Sequence, residues 1–315
     1  PTPGSAPLAG VALFALARAA VAQDDAWARR SAAAIDALDD VRSGPEGRPY
    51  PHTRGVLACV PADGDWPAVA RLEDQAEWTR VLARAVRMHP VQEWIDGLES
   101  LVRGLRAFRR DDGHWQPWLG ANGPVLVDAS ARACRALIAA GEVLERHELV
   151  REAIDSVDVL ASAAYARAAG VAHVLEGGRA RGPMLLDDAM LLGHALLDGD
   201  AWRDNDVYRD LAEEIARTTL VRLQGTSGAL VDRVAALAGA GQVGRLAEPH
   251  HPLTGNAEAA RLLLRLFPDD DQARADARRL LRGVSADAAL AGVFGAPVGL
   301  AWEALAPAGA ITAAW

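Results

Sequence analysis

Apolar residues recur every three or four positions along most of this chain, and the stretches that show it come in pairs. The first member of each pair is rich in Ala and Leu and apolar nearly all round. The second carries one apolar stripe, as in Trp94, Leu98, Leu101, Leu105 and Phe108. A helix apolar on all sides belongs inside, and a striped helix covers it. The striped helices are predicted over roughly 25–39, 91–109, 148–165, 206–223 and 272–282. Short breaks at Gln23-Asp24, His89-Pro90, Glu145-Arg146, Asp200–Asn205 and Pro268-Asp269 join each pair. The connections between pairs are longer, about 40–71, 110–125, 166–184, 224–252 and 283–296. They hold the Gly, Pro and Trp residues and most His. Two of them contain short β-hairpins, near 55–60 and 171–175. Short turns at one end and long loops at the other define a working face.

A five-residue pattern opens each inner helix: apolar, any residue, Asp or Gly, any residue, small residue. It reads Leu8–Ala12, Leu72–Ala76, Leu126–Ser130, Leu185–Ala189 and Leu253–Ala257, with a weaker copy at Pro297–Ala301. Its third position is Gly10, Asp74, Asp128, Asp187, Gly255 and Gly299. Asp and Gly both suit a helix N-cap, so this position is read as the cap. Six inner and five outer helices predict an all-α fold, an (α/α)6 toroid of helical hairpins with its last outer helix missing. No interdomain linker interrupts residues 1–315, which are read as one domain. If the six inner helices start on one rim, their dipoles converge there. The Asp-capped ends cancel much of that field. The Gly-capped ends keep N–H donors, and a ligand oxygen is expected on their side, near Asn256.

Composition narrows the function classes. The chain has 315 residues, a formal net charge of −9 and 50 % hydrophobic residues, with a pI near 5.4. Such acidity argues against nucleic acid, whose phosphates need a basic stripe. All 33 basic residues are Arg, read as the mark of a GC-rich, bacterial genome. Without Lys there is no Schiff-base lysine and no Walker-A lysine. Cys59 and Cys134 form no CxxC motif, and Cys134 reads as core. The longest apolar run, Leu8–Ala22, contains Arg18 and is too short for a bilayer, which needs ~20 apolar residues. A soluble protein, cytoplasmic or periplasmic, is expected. The first residue is Pro, so the chain is read as processed or trimmed.

These motifs resemble the toroidal region of proteins that join a thioredoxin-like domain to a six-hairpin-glycosidase-like barrel, the spermatogenesis-associated protein 20 type. Leu72-Glu73-Asp74-Gln75-Ala76 resembles that group's Leu-Glu-Asp-Tyr-Ala segment, and Leu185–Ala189 is similar, with Asp188 in place of the aromatic residue. Pro252–Ala257 resembles its Pro-Ser-Gly-Asn-Ser turn, and Asp111–Trp115 its Asp-x-x-Gly-Gly-Phe strand opening. The resemblance implies a carbohydrate-active type of fold. The thioredoxin domain has no counterpart in this sequence.

Candidate chemistry follows from the same rim. Glycoside hydrolysis needs two carboxylates about 5–10 Å apart, one protonated and one ionised. Asp74 and Asp187 are the acid/base candidates, flanked by Glu73, Asp128 and Asp188; plain helix capping is the simpler reading. Asp187 and Asp188 adjoin, so like-charge repulsion is expected to raise one pKa. His194 lies two helical turns beyond Asp187 and is a catalytic candidate, or else a core histidine. His250 and His251 adjoin on a loop beside Glu248. Adjacent histidines point apart in extended chain, so no metal site is assigned. His52, His114, His251 and Asn256 are candidate ligand contacts. Nine Trp against four Phe is unusual. Trp78 and Trp115, with Trp66, Trp118 and Trp302 nearby, are candidate stacking platforms for a sugar, or loop-packing residues. Gly239–Gly244 fits GxGxxG but lacks a preceding strand, so it reads as loop. Arg103, Arg106, Arg109 and Arg110 read as a solvated helix face. No cofactor is implied. Two functions follow: a ligand-binding, carbohydrate-active toroid with glycosidase- or epimerase-like acid/base chemistry, or a non-catalytic subunit that docks a protein partner at the incomplete edge of the ring.

Overall fold

A computed structural model describes residues 5–22, 25–43, 58–59, 69–119, 123–203, 206–234 and 250–305. The GxGxxG segment, His52, Trp66 and Glu248 lie outside them. Eleven α-helices occur among the described residues. They are α1 (Ser5–Ala22), α2 (Asp25–Ser43), α3 (Leu72–Met88), α4 (Gln92–Arg106), α5 (Val127–Val143), α6 (His147–Ala164), α7 (Leu186–Asp200), α8 (Val207–Arg222), α9 (Leu253–Leu266), α10 (Asp271–Leu290) and α11 (Ala296–Ala304). The inner-outer alternation predicted from periodicity is therefore present. Contacts divide the chain into two compact units, 1–160 and 161–315, with the boundary inside α6.

In the first unit α1, α3 and α5 lie side by side, with α2 against α1 and α4 against α3. The inner helices are built from small residues. Ala129, Ala131, Ala133, Ala136 and Ala140 of α5 are all buried, which lets the neighbouring backbones approach. Gln75 of α3 is buried and donates from Nε2 to the Leu101 carbonyl of α4 at 2.8 Å. Two ion pairs fix how α3 runs against α5. Arg132 donates to Glu77 at 2.5 Å and Arg87 to Glu142 at 2.5 Å. Each pair spans 55 residues, so the helices are parallel and in register, and their first turns share one end. The α5–α6 turn closes tightly: Glu145 takes a left-handed φ of 55°, and Arg146 N–H donates to Gly141 O at 2.8 Å. This is a Schellman closure with a non-glycine residue in the left-handed position.

In the second unit α7, α9 and α11 are neighbours, with α8 on α7 and α10 on α9. Two-residue strands Tyr165–Ala166 (β1) and Gly170–Val171 (β2) form a hairpin. A second hairpin joins Val174–Glu176 (β3) to Arg179–Arg181 (β4) through Gly177 and Gly178, both at positive φ. Glycines suit this two-residue turn because both positions need left-handed backbone.

Three expectations need correction. The repeated Asp is not the N-cap: the cap positions are Arg71, Leu126 and Leu185, none with a side-chain cap bond. Asp74, Asp128 and Asp187 instead sit within the first turn, where a carboxylate still favours the helix dipole. Gly10 and Gly299 lie inside α1 and α11 and are not exposed helix starts. Finally, α10 runs on past Gly283, which the sequence suggested as a break. A Cβ at 283 would come within 2.8 Å of Ala229, so this glycine serves a close approach and does not end the helix.

Candidate functional site

The first turn of α7 gathers a constellation of polar groups in the second unit. Extended segment 230–233 runs up to it: Leu186 N–H donates to the Asp232 carbonyl at 3.0 Å, and Leu185 bridges Arg233. That segment is held in turn by the chain entering α9, where Asp232 N–H donates to His250 O at 2.8 Å. The Asp232 carboxylate takes the Arg233 guanidinium at 3.0 Å and the His250 ring at 3.2 Å.

Asp187 and Asp188 are neighbours in sequence but diverge on the helix. The Asp187 carboxylate lies against Gly255 in the first turn of α9, where a Cβ would collide with it and with Leu186. The repeated position thus carries Asp on one helix and Gly on the next because the first needs the room left by the second. Asp188 is buried, 1 % exposed, and accepts from His173 Nδ1 at 2.9 Å. His173 comes from the β2–β3 connection, and its side chain is 33 % exposed. A carboxylate can only accept, so Nδ1 carries a proton and the buried Asp188 orients the ring.

The other candidates have committed partners. His194 is fully buried. Its Nδ1 takes the Arg265 guanidinium at 3.0 Å, and its Nε2 donates to Glu258 O at 3.0 Å. Arg265 also pairs with Asp198 at 2.6 Å. His194 therefore cross-links α7 to α9. Asn256, also fully buried, donates from Nδ2 to the carbonyls of Leu230 and Pro252, both at 2.9 Å, and accepts Leu230 N–H at 2.8 Å. It imitates a strand partner for Leu230. His251 bonds Leu230 O through Nδ1 at 3.0 Å and Ser227 Oγ through Nε2 at 3.1 Å.

In the first unit Glu73 pairs with Arg71, and Asp74 is buried one turn before buried Trp78. Asp128 occupies the matching turn of α5. Trp115 is buried. Burial pushes the neighbouring Cys134 thiol up to about 12, partly opposed by a hydrogen bond from Trp115. Neither Trp78 nor Trp115 presents an open ring face, whereas Trp118 is 39 % exposed. The His114 imidazole is held below its ordinary pKa by burial, with Asp112 acting the other way. The predicted Arg stripe runs past the end of α4: Arg106 pairs with Glu152, and Arg110, beyond the helix, pairs with Asp112.

Sequence reasoning missed His173, Asp232 and Arg233. None has a telling spacing to the α7 aspartates, and only strand-like pairing around Leu185 and Leu186 brings Asp232 and Arg233 to them.

No protein-family profile matches the sequence, and no curated protein does. Solved structures do. Cellobiose 2-epimerase from Bacillus thermoamylovorans superposes with a TM-score of 0.70 at 12 % identity, covering 90 % of this chain and 76 % of that one. An unsaturated glucuronyl hydrolase specific for heparin gives 0.68 at 12 % identity, covering 95 % and 84 %. A family 76 α-mannanase of Bacteroides thetaiotaomicron gives 0.68 at 9 % identity, covering 95 % and 84 %. These are six-hairpin, glycosidase-like enzymes, and no helix among the described residues is long and apolar enough to cross a membrane. The chain has the all-α, (α/α)6 toroid fold that these sugar-processing enzymes share.

Proposed function

We propose that the chain binds a carbohydrate at the N-terminal end of α7 and performs acid/base chemistry on it. The observation that carries this reading is the Asp188–His173 pair: a buried carboxylate orients a partly exposed imidazole at 2.9 Å. In this role His173 exchanges the proton with a sugar oxygen or carbon, and Asp188 fixes its tautomer and steadies the imidazolium. Asp187, one residue away, supplies a second carboxylate. Arg233 and His250 supply donors for hydroxyl groups. Sugar epimerases and hydrolases among the similar structures support a saccharide substrate. Kinship with the thioredoxin-fused type rests on the Leu72–Ala76 and Pro252–Ala257 motifs.

The test is a panel of saccharides offered to the purified chain: cellobiose, mannose, a mannan oligosaccharide and an unsaturated glucuronyl disaccharide. Binding is read by saturation-transfer NMR and conversion by ¹H NMR. At least one sugar is expected to bind and be converted. His173→Gln and Asp188→Asn should then lose about 10²–10⁴ in turnover. Parent-like turnover in both variants, or no bound sugar, overturns the assignment.

A further inference from the structure

A second pair of groups in the same unit has the arrangement of a nucleophile and its base. Ser227 is exposed in the turn that follows α8, and its Oγ lies 3.1 Å from His251 Nε2. The protonation of that ring follows from its other side. His251 Nδ1 lies 3.0 Å from the Leu230 carbonyl, which can only accept. The hydrogen of the neutral ring is therefore on Nδ1, Nε2 presents its lone pair, and the Ser227 hydroxyl must donate to it. The Ala229 N–H donates to the same Oγ at 3.4 Å.

The base is held from several directions. Its orienting carbonyl, Leu230, is clamped by Asn256 through both N–H and C=O. The ring packs on Gly225, where a Cβ would fall 2.5 Å from Cε1. Gly228 adopts φ 88°, a left-handed turn that carries the chain away beneath the serine. A nucleophile within hydrogen-bond reach of a base, itself oriented by a third group, is the general signature of an activated serine.

The geometry points to Ser227 as a nucleophile toward small carboxylic esters, with His251 as its base. Oγ attacks the acyl carbon while its proton passes to His251 Nε2. The ester C–O bond breaks, and the leaving alcohol takes that proton. Water then attacks the acyl-serine, gives a proton to Nε2, and the proton returns to Oγ as the acid departs. No co-reactant beyond water is needed. Ser227 stands in solvent, so short, freely diffusing acyl groups are the fitting class. This activity is independent of the carbohydrate reading.

The experiment treats the native chain with a fluorophosphonate probe and with p-nitrophenyl acetate, and maps the modified serine by peptide mass spectrometry. Ser227 is expected to be the labelled residue. Ester hydrolysis should fall about a hundredfold in Ser227→Ala and in His251→Gln. Mapping on the unmutated chain keeps the result free of any folding defect in the variants. Labelling of Ser227 no faster than other serines of the native chain, or parent rates in both variants, overturns the proposal.

Discussion

Arg132 reaches Glu77 across 55 positions of sequence, Nη1 donating to Oε1 at 2.5 Å. Their side chains are only 15 % and 12 % exposed, so the pair acts in a setting of reduced dielectric. Arg87–Glu142, about three turns further along both helices, is 45 % and 30 % exposed. The two pairs share spacing and chemistry but differ in burial. Arg132→Ala strips Glu77 of a partner inside the protein and should cost about 2 kcal/mol. Arg87→Ala should cost about 0.5 kcal/mol. Urea unfolding of both variants checks the difference, and equal losses would mean that burial gives the Arg132–Glu77 pair no added weight.

Gly255→Ala places a methyl group against Asp187 and Leu186. Alanine is the better helix former by about 1 kcal/mol. Even so, the variant should lose about 1–2 kcal/mol, because the crowded neighbours must shift. Asp187→Ala in the same chain should recover part of that loss, giving a coupling of about 1 kcal/mol. Strictly additive losses in a double-mutant cycle count against the contact.

Glu145→Gly should stabilise the chain. Left-handed backbone costs a residue with a Cβ about 1–2 kcal/mol, and glycine gives back part of the gain as greater freedom in the unfolded state. The net is a gain of about 0.5–1 kcal/mol in denaturant unfolding. A loss would mean that the Glu145 side chain supports the α5–α6 turn.

Acid should loosen the β1–β2 hairpin. Glu214 accepts from Tyr165 OH at 2.7 Å and from Arg167 at 2.6 and 2.8 Å. These bonds, that from Arg167 foremost, lower its pKa from 4.5 to about 2. A depressed folded-state pKa adds stability that is complete above the unfolded value. That stability is lost as pH falls from about 4.5 toward 2. Glu214→Gln should flatten this part of the stability profile, as read by unfolding at pH 5, 4 and 3. The same contact pushes Tyr165 up to about 12, after burial as the larger cause. That contribution is complete below pH 10 and fades above it.

The helix order was legible because amphipathic period and turn residues are local signals. Leu98, Leu101, Leu105 and Phe108 mark one face wherever the chain goes. Glycine was read less well, since one residue type serves opposite ends. Gly283 looks like a stop, yet it lies inside α10 against Ala229. The α7 aspartates could be named from the repeat, but not their partners. His173 reaches Asp188 through the β2–β3 connection, and Asp232 arrives through pairing around Leu186. Such pairings depend on register between distant segments, which spacing does not encode. From sequence, His194 is a catalytic candidate or else a core histidine, and Asn256 a candidate ligand contact. What the pattern could not convey is that their polar atoms are spent on α9 and on Leu230.

Asn256 deserves its position for a reason that reaches past α9. By gripping Leu230 from both sides, it nails down the midpoint of a strip of chain whose two halves lead to different chemistry: the serine turn upstream, the Asp232–Arg233 arm downstream. A lesion there would slacken both arms together, whereas changes at either tip stay local. One amide thus couples the fates of two neighbourhoods that share no reacting atom.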